Sequence, residues 1–69
     1  REEGRVIVLV RISTQGLVEQ ASIDTSSGYS RLDDSALAAA RQARFKPLMR
    51  NGVALPALAK LPFDFKMRN

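Results

Sequence analysis

The feature that most constrains this chain is a stretch of alternating residues that contains a proline, from Ala57 to Met67. Apolar side chains occupy every second position, and the positions between them from Lys60 to Lys66 carry Lys, Pro, Asp and Lys. This period of two predicts a β-strand with one buried and one solvent-exposed face. Because Pro62 has no backbone N–H, such a strand is expected at the edge of a sheet, with residue 62 turned outward. The sequence therefore predicts a last strand with one unpaired side.

Two further strands and a turn are predicted from the rest of the chain. Arg5–Ile12 is dense in β-branched residues and apolar on both faces, which is typical of a central strand. A turn ending at Gly16 leads into a second strand at about residues 17–24. Val18 is out of phase with the later apolar positions of that strand, which predicts a bulge or a strong twist near the turn. The Asn-Gly dipeptide at 51–52 predicts a turn before the last strand.

A short helix is predicted between the second and the last strand. Ser30 and Asp33 have the S-x-x-D spacing of a reciprocally capped helix start, and Pro47 prevents continuation. The expected buried stripe is mostly alanine and consists of Leu32, Ala36, Ala39, Ala40 and Ala43. Small side chains let a helix pack closely on a sheet. The predicted fold is therefore α+β, with two layers: a three-stranded antiparallel sheet covered by one helix, in strand-strand-helix-strand order.

Composition limits the function classes that fit this chain. Its 69 residues make one domain, residues 1–69, and they include no cysteine and no histidine. Disulfides, the usual zinc ligands and a histidine-activated nucleophile are therefore excluded. Asp33 and Asp34 are neighbours on a helix and point about 100° apart, so they make a poor acid/base pair. We predict a binding module without enzymatic activity, cofactor or metal, and we expect a fragment of a longer protein because the sequence starts at Arg1.

The free edge of the last strand is the predicted binding surface. An unpaired strand can accept an extended peptide by strand addition. The predicted peptide-binding residues are Ala59, Lys60, Leu61, Pro62, Phe63, Asp64, Phe65 and Lys66. Pairing of two copies through the same edge would give a homodimer instead. The alternative from another functional class is a nucleic-acid-binding domain, since the net charge is +4 and residues 41–50 are basic. Exposed aromatic residues for base stacking are scarce, however, so we predict no nucleic-acid partner.

Several short motifs occur along the chain in a specific order. They are E-G-R-V-I-V-L-V-R-I-S-T-Q-G-L-V at 3–18, S-S-G at 26–28, L-D-D-S-A-L-A-A-A-R-Q-A-R-F-K-P at 32–47, N-G at 51–52 and L-P-F-D-F at 61–65. In order and spacing they resemble the C-terminal domain of TonB-family energy transducers, and the resemblance covers nearly the whole chain.

This resemblance implies a location, partners and a binding mode. Domains of that family lie in the periplasm and are joined to an inner-membrane helix that associates with ExbB and ExbD. They capture the TonB box, an extended segment of outer-membrane transporters for iron chelates, vitamin B12 and similar cargo, by adding it to their last strand. The resemblance thus implies a membrane anchor outside this chain, coupling of the proton motive force to uptake, and binding at residues 59–66. The TolA C-terminal domain has a similar architecture, so a TolA-like envelope role is the second alternative.

Overall fold

The computed structural model describes residues 4–66 and has the predicted two-layer α+β architecture. Its elements are β1 (Gly4–Ile12), β2 (Val18–Thr25), α1 (Ser30–Gln42), β3 (Leu48–Arg50), β4 (Val53–Leu55) and β5 (Ala57–Phe65). The main sheet is antiparallel with strand order β2-β1-β5, so β1 is central, as its two apolar faces predict. Met67, the last residue of the predicted final strand, lies outside the described residues.

One face of β1 and one face of α1 form the core. The buried residues are Val6, Val8, Val10, Ile12, Leu32, Ala36 and Ala40. Residues at i, i+2 and i+4 of a strand point to the same side, so the four β1 residues line the sheet face under the helix. Complete burial of a valine side chain contributes about 1.5–3 kcal/mol. Burial of the central strand under the helix therefore makes a large contribution to the stability of this short domain.

The buried stripe of α1 differs from the predicted one. Ala39 was expected inside and is exposed, whereas Leu37 is half-buried and packs against the core. The buried face is thus rotated toward Leu37, and the helix lies mainly over β1 and β2, with its smallest contact on β5. This offset leaves the β5 side of the inner sheet face only partly covered.

The predicted reciprocal cap at the start of α1 is wrong. The helix does begin at Ser30, but its N-cap residue is Tyr29, which makes no side-chain cap hydrogen bond. The Asp33 carboxylate instead accepts hydrogen bonds from the preceding loop: from the Ser26 hydroxyl, from the Ser27 amide at 3.0 Å and from the Ser27 hydroxyl at 2.8 Å. Asp33 therefore connects the β2–α1 loop to the first helical turn.

These hydrogen bonds predict an acid-sensitive contribution to stability. The Ser26 hydroxyl first, and then the Ser27 amide and hydroxyl, lower the pKa of Asp33 below its ordinary value of 3.8. A carboxylate with a lowered pKa in the folded state stabilises the fold fully above its unfolded pKa, and this contribution is lost as pH falls through the folded pKa. We expect Asp33→Asn to have a lower urea midpoint than the parent at pH 7. Below pH 3.8 we expect the difference between the two midpoints to become smaller. A constant difference across that range would contradict this assignment.

The bulge predicted in β2 is confirmed. Arg11 pairs with Gln20 but Ile12 pairs with Val18, so Glu19 is an extra residue on the β2 side. A second irregularity lies near the other end of the strand, where Ile7 pairs with Thr25 and Val8 with Ile23. Two bulges therefore interrupt the β1–β2 ladder.

The predicted turn at residues 51–52 is present, and it belongs to an additional β-hairpin. Asn51 (φ +50°) and Gly52 (φ +79°) both adopt left-handed conformations, as a two-residue type I′ hairpin turn requires. They connect β3 and β4, two short strands that were not predicted from the sequence, in a hairpin separate from the main sheet. Its Leu48, Met49 and Val53 side chains are exposed. Strands of three residues show too little periodicity to be recognised from sequence.

Within residues 4–66 we find no helix of the length and apolarity needed to cross a membrane.

Candidate peptide-binding edge

β5 is an edge strand. It pairs with β1 in an unbroken antiparallel register from Gly4↔Phe65 to Ile12↔Ala57, and among residues 4–66 no strand pairs with its other side. The main-chain groups along that side are therefore available to another chain.

Pro62 determines which main-chain groups of β5 face outward. It lies opposite Ile7, in the middle of a register without irregularity. Because proline has no N–H and is tolerated in a sheet where that position faces away from the neighbouring strand, its nitrogen is placed on the free side. Main-chain groups alternate in direction along a strand, so Leu58, Lys60 and Asp64 present N–H and C=O groups at the free edge, and Pro62 presents a C=O group. Leu61 and Phe63 direct theirs toward β1.

The side chains of β5 form two rows with different chemistry. Leu61, Phe63 and Phe65 are half-buried on the helix side of the sheet, and Lys60 and Asp64 are exposed on the opposite side. The sequence predicted a sheet covered by one helix, but α1 lies mainly over β1 and β2 and contacts β5 least. Part of this aromatic row therefore remains accessible next to the free edge.

Two ion pairs connect the exposed row of β5 to the rest of the sheet. Asp64 Oδ1 lies 3.0 Å from Nε of Arg5, its direct cross-strand partner on β1. Lys60 Nζ lies 3.5 Å from Oδ2 of Asp24 on β2. Arg5, Asp64 and Lys60 are largely exposed and Asp24 is 33% exposed, and exposed pairs of this kind contribute about 0–1 kcal/mol each. Their main effect is to restrain the side chains that border the edge.

The structure brings all eight predicted site residues together along this edge. Seven of them, Ala59 to Phe65, belong to β5, and Lys66 follows the strand directly and is exposed. Leu58 was left out of the predicted site, although it precedes Lys60 in the same alternation and its outward main chain belongs to the same edge. The period-two pattern alone was sufficient to include it.

The other border of the sheet is less suited to pairing. β2 also has no second neighbour among residues 4–66, but Glu19 and Asp24 interrupt its ladder as bulges. Bulges twist a strand and disturb the spacing of its main-chain groups, which discourages strand addition. β5 is therefore the regular free edge of this sheet.

The family assignment agrees with this geometry. Residues 1–67 match the family model described as Gram-negative bacterial TonB protein C-terminal. The chain belongs to the TonB C-terminal domain family. Domains of this family are periplasmic parts of non-enzymatic energy transducers that interact with outer-membrane transporters. No curated protein and no solved structure matches the chain.

Proposed function

We propose that this TonB-family domain captures the TonB box of an outer-membrane transporter by adding it as a fourth strand beside β5. The observation that carries the proposal is the free edge of β5, with its unbroken register to β1 and its outward-facing proline. In strand addition, main-chain hydrogen bonds provide affinity and the side chains at alternate positions provide selectivity. The binding residues are those from Ala59 to Lys66.

The two rows of β5 side chains would select the captured segment. A strand beside β5 points alternate residues to the two faces of the sheet. On the helix side these residues would lie next to Phe63 and Phe65, which are only half-buried and can pack against apolar side chains. On the opposite side they would lie next to Lys60 and Asp64, which are exposed and charged.

The same arrangement suits the transmission of force. A strand that is pulled along its length loads several ladder hydrogen bonds together, so a bound transporter segment would resist separation better than one held by a single contact. In this proposal a membrane anchor outside this chain associates with ExbB and ExbD, and the proton motive force acts through β5 on the transporter to drive uptake of an iron chelate or similar cargo.

Asp64→Pro tests the proposal at one main-chain donor. The change removes an outward N–H and leaves the partner's carbonyl unpaired, which predicts at least about tenfold weaker binding of a TonB-box peptide by isothermal titration calorimetry. Asp64→Asn is the matched control, because it keeps the N–H and loses only an exposed ion pair with Arg5, so its affinity stays within about threefold of the parent.

The fold of both variants is verified by urea denaturation, and sedimentation shows whether the titrated protein is monomeric. Equal affinity of Asp64→Pro and the parent would reject the assignment of this edge. Self-association that Asp64→Pro abolishes, without any peptide binding by the parent, would assign the edge to a homodimer instead.

A further inference from the structure

The face of the sheet opposite the helix contains a second candidate surface. Arg11, on β1, and Leu58, on β5, are direct cross-strand partners, and both side chains point away from the core. Leu58 is 67% exposed. Two clefts adjoin this pair, with volumes of about 390 Å³ and 180 Å³. We refer to the pair and its two clefts as the Arg11 cleft.

The smaller cleft has an apolar part and a polar part. It is lined by Leu9, Gln20 and Ser22 in addition to Arg11 and Leu58. Leu9 and Leu58 supply aliphatic surface, and the Gln20 amide and Ser22 hydroxyl supply hydrogen-bonding groups. The larger cleft extends past Pro56 to Glu19, which is the acidic group on its border.

Arg11 differs from the two other cations of β1 and β5, Arg5 and Lys60, on this face. Arg5 is paired with Asp64 and Lys60 with Asp24. The guanidinium of Arg11 makes no ion pair or hydrogen bond with any residue between 4 and 66. Its cross-strand neighbours on the two sides are the neutral Gln20 and Leu58. An unpaired guanidinium beside aliphatic surface favours a ligand with a carboxylate next to an apolar group, because the planar fork can bind both carboxylate oxygens.

A C-terminal residue of a polypeptide combines these two groups at the required spacing. Directly opposed side chains in a sheet lie about 4.5–5.5 Å apart at Cβ, so Arg11 and Leu58 define a small two-part site. An α-carboxylate and an aliphatic side chain leave the same Cα and can reach both parts at once. In an extended internal segment, adjacent acidic and apolar residues point to opposite faces, and residues i and i+2 on the same face lie about 6.6 Å apart, which matches the Arg11–Leu58 spacing less well.

We propose that the Arg11 cleft is a docking site for the C-terminal aliphatic residue of a partner polypeptide. Arg11 binds the terminal carboxylate, and the side chain packs against Leu9 and Leu58. The residues that precede it in the partner lie along the larger cleft toward Pro56. This site is on the face of the sheet, whereas strand addition uses its edge. The two sites share only Leu58, which contributes its side chain to the cleft and its main chain to the edge.

An NMR titration of the ¹⁵N-labelled domain with three small probes tests this site. N-acetyl-L-leucine has both recognition groups, and we expect saturable shifts at the amides of Leu9, Arg11 and Leu58 with a Kd on the order of millimolar. N-acetyl-L-leucinamide lacks the carboxylate, and the α-amide of N-acetyl-L-glutamate carries an internal-type carboxylate without the aliphatic branch. Both are expected to bind about tenfold more weakly or worse.

Two variants on the same face of β1 complete the test. Arg11→Gln is expected to weaken N-acetyl-L-leucine binding about tenfold or more, because it removes the charged donor. Arg5→Gln removes the cation that Asp64 already pairs with and is expected to change binding by no more than about twofold. Both sites are exposed, and unchanged urea midpoints confirm the fold.

Several results would overturn this proposal. They are equal affinities of the three probes, an equal loss of N-acetyl-L-leucine affinity in Arg11→Gln and Arg5→Gln, or no saturable shifts at the amides of the Arg11 cleft. Capture of a TonB-box peptide at the β5 edge is measured separately. Arg11→Gln is expected to leave that affinity within about twofold of the parent, so failure of one site does not imply failure of the other.

Discussion

Replacing Gly16 with alanine is expected to destabilise the domain by about 2–4 kcal/mol. Gly16 is buried in the β1–β2 turn with φ +84°, a conformation that alanine rarely adopts. A Cβ atom added there would lie 1.9 Å from the carbonyl oxygen of Phe45. That contact is with backbone, so the chain after the helix would have to move.

The segment that would move is held by the same turn. The Phe45 amide donates a hydrogen bond of 2.9 Å to the Gly16 carbonyl, and Leu17 forms an isolated bridge with Arg44. The Phe45 side chain packs against the core. Displacement by Gly16→Ala therefore weakens a main-chain contact and a core contact together.

Gly28→Ala is the matched control. Gly28 also has a positive φ, +92°, but no atom lies within 4 Å of its added Cβ. Gly28→Ala therefore measures only the cost of placing alanine in this backbone conformation, a loss of about 1 kcal/mol in the free energy of unfolding. Urea denaturation of the parent and both variants gives the free energies of unfolding. Equal losses in the two variants would show that the close approach of Phe45 to Gly16 is not important for stability.

The sequence predicted the main sheet well because its signals were local and redundant. The alternation from Ala57 placed five side chains of β5 on the core side, and the proline at 62 predicted an edge. The phase shift at Val18 predicted the bulge that the extra residue Glu19 produces. Each of these features follows from the period of a strand or from the chemistry of one residue.

The buried face of the helix, the partners of Asp33 and the Arg11 cleft were not predicted, because they depend on spatial distances between elements that a sequence pattern does not contain. A helical wheel orders residues around an axis but does not locate the sheet, so it placed Ala39 inside and missed Leu37. The spacing of Ser30 and Asp33 matched a cap, yet the carboxylate bonds to the loop residues Ser26 and Ser27. The Arg11 cleft joins residues from three strands and becomes visible only once their register is known.

The largest expected effect is on amide exchange along β5, where the exchange rate should alternate from one residue to the next. In the free domain the amides of Leu61 and Phe63 bond to β1 and exchange slowly, whereas those of Lys60 and Asp64 face outward and exchange rapidly. A TonB-box peptide present at about 100 times its Kd leaves about 1% of the domain free, so outward amides that exchange only in the free state slow about 100-fold.

Hydrogen exchange followed by NMR, with and without a TonB-box peptide, is therefore the most direct measurement of how this domain binds. Capture by β5 predicts new protection at Leu58, Lys60 and Asp64, with the outward amides of Ala21 and Ile23 on the bulged β2 border still exchanging rapidly. Protection that appears on β2 instead, or a peptide that binds without slowing Lys60 and Asp64, would contradict capture by β5.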